Sequence, residues 1–228
     1  MNSPKQVTVL LAEDHSVVRQ GLCSLLNADG HFLVVGEART GREAVEMART
    51  LLPDVILMDI AMPGLNGLEA TRQILAANPA AKVLVLSAHS DDVYVESMTG
   101  AGAVGFLEKQ SSAEVLTKGI REVAEGRTFY SPSIAKRLRD EQSNPLDRNG
   151  VRKNRGIRLT SRESEVLQLV AEGFANKQVA AELGISIKTV EKHRQHVMHK
   201  LNIHETAGLT RYAIAQGIIE NSVQVTII

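Results

Sequence analysis

The chain has 228 residues, enough for two small domains that each bury a core. Its hydrophobic fraction of 43% and charged fraction of 23% are those of an ordinary soluble globular protein. The 26 basic and 26 acidic residues cancel, so net charge alone names no partner. No run approaches the ~18 apolar residues that span a membrane. The apolar stretch Val7–Ala12 is strand-length and ends in two acids, which argues against a signal peptide. The lone Cys23 excludes an internal disulfide, and its apolar helical setting predicts a buried thiol in a reducing cytoplasm.

Charge is unevenly spread. Residues 1–128 hold 11 Lys+Arg and 16 Asp+Glu, whereas residues 129–228 hold 15 and 10. An acidic front and a basic rear fit a cation site in one part and a polyanion partner in the other. The rear excess of 5 is matched by that of residues 129–158, with 8 basic and 3 acidic residues, so it does not by itself mark a DNA contact.

The first part alternates short β-branched runs with helical patterns. Strands are predicted at Val7–Ala12, Phe32–Ala38, Asp54–Asp59, Lys82–Ser87 and Val104–Glu108. Helices are predicted near residues 15–28, 41–51, 66–77, 91–101 and 112–125. Five βα units imply a doubly wound α/β fold with a five-stranded parallel sheet. After Arg127 the pattern weakens. Ser131 and Pro132 offer a cap and first position for a short helix, and the polar stretch that follows reads as a flexible linker. From Leu159 the chain is helical to about Gly217, and the last residues, Val223–Ile228, have no assigned role.

Ligands of a parallel sheet bind at the carboxyl ends of its strands. Here those ends carry Glu13 and Asp14, then Asp59, then Ser87, then Lys109. Crowded carboxylates repel unless a cation is present, and Mg²⁺ takes such oxygen ligands readily. Asp14 and Asp59 suit direct ligation, the backbone carbonyl of Ala61 supplies a further oxygen, and Glu13 suits a metal-bound water. Asp59 can then accept a phosphoryl group, with Lys109 and Ser87 as partners of its oxygens. Any one such acid is commonplace, but five groups meeting at one sheet edge are not. Gly100, Gly102 and Gly105 spell a dinucleotide-like G-x-G-x-x-G. They follow a helix and open a strand, the wrong context for that motif, and read as a tight turn.

The stretches "LLAEDH", "DVILMDIAMPGLNG", "VLVLSAH" and "GFLEKQ" resemble the receiver domain of response regulators over residues 5–126. The resemblance implies a flavodoxin-like sheet of order 2-1-3-4-5. It also implies a sensor histidine kinase as phosphate source, Asp59 as acceptor, and Ser87 and Phe106 as the coupling pair. Phe106 departs from the hydroxyl-bearing Tyr common at that position.

In the rear, Thr160 and Glu163 form a capping-box pattern, and Val166, Leu167, Leu169 and Val170 a core stripe. Asn176 is read as the cap of a short helix ending at Leu183. Gly184 turns the chain and Ser186 caps a longer helix. A short helix, a glycine turn and a longer helix make a helix-turn-helix. At about 100° per residue, Val190, Val197 and Leu201 share one face, and Lys188, Lys192, Gln195 and His199 the opposite one. Such cations, amides and imidazoles bind phosphates and base edges. His193, His196 and His199 recur every third residue, a spacing that drifts around a helix and makes a poor metal site.

"LTSRESEVLQLVAEG", "NKQVAAELGIS" and "KTVEKHRQHVMHKL" resemble the LuxR-type helix-turn-helix of NarL/FixJ regulators over residues 157–220, with 127–156 between the domains. The resemblance assigns base contacts to Glu191, Lys192 and Gln195, and phosphate contacts to Thr189 and Lys200. It implies a cytoplasmic, non-enzymatic transcription regulator that binds double-stranded DNA as a homodimer when phosphorylated. A ligand-gated regulator would need an apolar sensor pocket in place of the acid–hydroxyl–lysine set. A phosphatase would need a general acid–base beside Asp59, and Ala61 provides none. A regulator that works without phosphate would have no use for the complete pocket.

Overall fold

The structure is a computed structural model that describes residues 6–88, 98–136 and 159–219. The chain divides into two compact units, Met1–Arg158 and Leu159–Ile228. The expected linker after Lys136, the tail beyond Ile219 and residues 91–97 of the expected helix 91–101 lie outside the described residues.

In the first unit the chain runs β1 (Val7–Ala12), α1 (Ser16–Asp29), β2 (Phe32–Ala38), α2 (Gly41–Leu51), β3 (Val55–Asp59), α3 (Gly67–Ala77), β4 (Val83–Ser87), β5 (Gly105–Glu108), α4 (Ala113–Ala124) and β6 (Phe129–Tyr130). Residues 98–100 are helical and lead into the turn at Gly102, whose φ of 98° suits glycine. All strand pairs are parallel. Side chains alternate across the sheet. Ile56, Met58, Val83, Val85 and Phe106 enter one core, while Val55, Leu57, Leu84, Leu86 and Leu107 enter the other. Burial on both faces explains why these strands are continuously apolar.

The strand order is β2-β1-β3-β4-β5-β6. The predicted 2-1-3-4-5 order is present, with one strand more. β6 lies in the stretch read as linker, pairing Phe129 with Gly105 and Tyr130 with Phe106. Residues 132–136 follow as the short helix that Ser131 and Pro132 suggested, and Ile134 is fully buried in the cluster that holds Phe106 and Met98. A strand of two residues carries no alternation to read, so only its pairing reveals it. Cys23 is also corrected: it is half-buried, with its thiol 3.5 Å from Glu37 Oε1.

The second unit contains α5 (Ser161–Ala171), α6 (Asn176–Leu183), α7 (Ile187–Leu201) and α8 (Thr206–Ala215). The capping box is present: Glu163 N donates to Thr160 Oγ1 at 3.3 Å and Thr160 N to Glu163 Oε2 at 2.8 Å. Gly184 turns the chain at φ 62°, and Ser186 Oγ accepts from Thr189 N at 3.1 Å to start α7. Asn176 is not the cap of α6. Ala175 holds that place, its N–H donating to Gln178 Oε1 at 2.8 Å, while Asn176 Oδ1 accepts from Arg194 at 3.1 Å. A Gln three residues on serves the cap nitrogen as well as a polar cap side chain serves the first turn.

Candidate functional site

Parallel strands bring Glu13 and Asp14 (after β1), Asp59 (end of β3), Ser87 (end of β4) and Lys109 (after β5) to one sheet edge. Glu13, Asp59 and Ser87 are buried, Asp14 is partly exposed, and Lys109 is 14% exposed. Lys109 Nζ lies 2.8 Å from Glu13 Oε2 and 2.9 Å from Asp59 Oδ2. Its main-chain N–H donates to the Ser87 carbonyl at 2.7 Å, which ties the end of β4 to the lysine. Ile60 N donates to Asp59 Oδ1 at 2.8 Å. Glycine permits the approach of α3: a Cβ on Gly67 would fall 1.9 Å from the Asp59 carbonyl oxygen.

Burial pushes the Asp59 carboxyl up to about 7, with Glu13 adding to the rise and Lys109 opposing it. Burial alone would lower the Lys109 ammonium, but Asp59 and Glu13 hold it above its ordinary value. Asp14 beside His15 raises the imidazole, whose Nδ1 is 2.8 Å from Asp14 Oδ1.

The donor set fits a hard divalent cation. The buried oxygens Asp14 Oδ1 and Asp59 Oδ2, among the described residues, face the charges of His15 and Lys109, at 2.8 and 2.9 Å. Among the described residues, one set of His, Cys or acidic groups is close enough to share an ion: Glu13, Asp14, His15 and Asp59, within 4.8 Å of one another. Among the described residues the histidines of α7 form no such set. Ala61 stands two residues past Asp59, on the loop that follows β3.

Phe106 is buried opposite Val85. Alternation along β4 puts Ser87 on the same sheet face as Val85, hence on the face of Phe106. The two coupling residues therefore share one side of the sheet.

On α7, Val190, Val197 and Leu201 are buried, while Lys188, Glu191, Lys192, Gln195 and His199 are exposed. Thr189 is half-buried at the helix start, its hydroxyl 2.8 Å from Ser186 Oγ. Lys200 is engaged within the unit: its Nζ donates to Glu163 Oε2 at 2.6 Å. Arg194 braces three helices, reaching Asn176 on α6 and, at 2.5 Å, Thr206 Oγ1 on α8.

Comparison with known proteins accounts for both units. Residues 9–121 match the response regulator receiver domain, and residues 158–213 match the bacterial regulatory proteins of the luxR family. Oxygen regulatory protein NreC of Staphylococcus carnosus is 36% identical over 214 residues, covering 93% of this chain and 99% of that protein. The chain belongs to the two-component response regulators. Transcriptional regulatory protein LiaR of Bacillus subtilis is 38% identical over 91% of this chain and 96% of its own length. Among solved structures, a LuxR-family two-component response regulator from Aurantimonas sp. matches with TM-score 0.59 at 32% identity, over 61% of this chain and 100% of that chain. RcsB of Salmonella enterica serovar Typhimurium, solved bound to promoter rprA in the presence of phosphomimetic BeF3-, matches with TM-score 0.58 at 25% identity, over 91% of this chain and 98% of that chain.

As a response regulator, the chain pairs a receiver with a luxR-family helix-turn-helix and is a transcription regulator controlled by phosphorylation. Sequence reasoning singled out neither His15 nor Arg19. His15 follows the two acids directly. Arg19 sits in the first turn of α1, and helical side chains lean toward the helix N-terminus, so a long one there reaches the preceding loop.

Proposed function

We propose that Asp59 accepts a phosphoryl group from a partner histidine kinase in the cytoplasm and that this event sets the DNA affinity of the rear domain. The observation that carries the proposal is the buried Asp59 carboxylate, facing Lys109 at 2.9 Å and crowded by Glu13 and Asp14. An Asp59 oxygen bonds to phosphorus while the donor's P–N bond breaks, and that electron pair leaves with the donor imidazole. Asp14, Asp59 and the Ala61 carbonyl would hold Mg²⁺, with Glu13 acting through a water. Mg²⁺ in that place neutralises the charge of the incoming phosphoryl oxygens. Lys109 pairs with those oxygens, exchanging one anionic partner for another. Ser87 donates its hydroxyl to them, and Phe106 moves on the same sheet face, a packed element with two arrangements.

The functional division follows residues 5–126 for the receiver and 157–220 for DNA binding, with 127–156 as the connection, whose first residues, β6 and 132–136, pack on the receiver. Lys188, Lys192, Gln195 and His199 contact DNA from the exposed face of α7, joined by Thr189 and Glu191 near its start. Lys200, exposed and bonded to Glu163 through one donor, reaches phosphate with its remaining N–H groups. The protein acts as a homodimer on paired half-sites, as symmetric helix-turn-helix regulators do, and turns over no substrate. The test is promoter affinity with and without beryllofluoride and Mg²⁺. At least a tenfold gain, lost in Asp59→Asn, supports the proposal; equal affinity in both states overturns it.

A further inference from the structure

One buried cation has no part in the pocket chemistry described so far. Arg19 in α1 is 6% exposed. Its Nη1 donates to the main-chain carbonyl of Glu13 at 2.8 Å and to that of Asp14 at 3.2 Å. Its Nε donates to Glu37 Oε2 on β2 at 3.3 Å. The guanidinium thus ties both acidic residues of the β1–α1 loop to the neighbouring strand.

A buried arginine is costly unless fully bonded, and a plain surface helix needs none at this position. The carbonyls it holds belong to Asp14, a proposed metal ligand, and to Glu13, proposed to act through a metal-bound water. A guanidinium presents several donors in one rigid plane and keeps its charge at every working pH, so it suits holding two adjacent carbonyls at once. Glu13 is fixed from the other side too, its N–H donating to the Ala38 carbonyl at 3.0 Å. Both flanks of the loop are therefore anchored to β2, and the side chains of Glu13 and Asp14 keep fixed directions while they repel each other.

We infer that Arg19 is a positioning residue for the Mg²⁺ site, holding the main chain of Glu13 and Asp14 so that their carboxylates converge with Asp59. The inference rests on the functional proposal above, since it needs Mg²⁺ to bind there. Outer groups that orient metal ligands typically change affinity about 10–100-fold when removed. The role predicts a loss of metal affinity and slower capture at low metal, with the phosphotransfer rate restored once Mg²⁺ is saturating.

The test compares full-length wild type, Arg19→Gln and Arg19→Lys. Mg²⁺ affinity is read by titration calorimetry, folding by circular dichroism, and loop protection by hydrogen exchange at residues 13–15. Arg19→Gln should bind Mg²⁺ about tenfold more weakly while folded, with faster exchange in that loop. Arg19→Lys, which keeps the charge but loses the fork, should fall between the two. Wild-type affinity in folded Arg19→Gln overturns the inference. If Arg19→Gln does not fold, the lysine variant decides: wild-type affinity there overturns it, and a weaker site with slower capture only at low Mg²⁺ supports it. Failure of the wild type to bind Mg²⁺ would instead remove the functional proposal itself.

Discussion

Asp59 combines burial with negative neighbours, and the consequence is a pH dependence with a definite sign. Its metal-free carboxyl sits at about 7 rather than the ordinary 3.8. The folded state therefore retains a proton between those values that the unfolded chain releases. The stabilising contribution is complete below the ordinary value and is lost as pH rises through about 7. Asp59→Asn, which is neutral throughout, should thus unfold at higher urea than wild type at pH 8 without metal, by on the order of 1–3 kcal/mol. The gap should close near pH 4 and shrink when Mg²⁺ is added; an equal midpoint at pH 8 would contradict the charge crowding. The acids, Ser87 and Lys109 were legible because strand ends in a parallel sheet are known once the strands are. Arg19 and His15 were not, because their roles depend on which backbone atoms or carboxylates their side chains reach. Nor does spacing show that Lys200 ends on Glu163.

Two elements position the pocket, and each gives a test. The start of α3 presses against the end of β3 through Gly67, where a Cβ would meet the Asp59 carbonyl oxygen at 1.9 Å. Gly67→Ala should destabilise the receiver by about 2 kcal/mol or more and lower Mg²⁺ affinity, since the strand end must shift; an unchanged affinity would show that α3 yields instead. β6 and the helical residues 132–136 after it pack on the receiver past residue 126. Ile134→Ala, opening a cavity beside Phe106, should cost about 2–4 kcal/mol in receiver unfolding. A negligible effect would make this segment a linker after all. Long elements were readable because β-branched runs and 3.6-residue periods repeat; β6 was not, because two residues repeat nothing. The cap of α6 was misread because Asn176 has the right chemistry, but Ala175 and Gln178 supply the geometry.

For the whole molecule, a charge event in one unit must change DNA binding in the other. If the exposed Lys188 and Lys192 meet phosphates as proposed, that binding should show a steep salt dependence. Replacing either with Gln should weaken binding and lower the log–log salt slope by about 0.9 if it neutralises one phosphate. An unchanged slope would assign that side chain to base reading or to solvent. Net charge conceals this even within the second unit, where 7 Lys+Arg and 7 Asp+Glu cancel over residues 159–228 although Lys188 and Lys192 share one exposed face. The most direct measurement is intact-protein and peptide mass spectrometry of the full chain treated with a small acyl-phosphate donor and Mg²⁺, followed by promoter titration of the same sample. The expected result is one phosphoryl group on Asp59, none in Asp59→Asn, and tighter promoter binding by the modified protein. A phosphoryl group on another residue, none at all, or modification without any change in DNA affinity would contradict it.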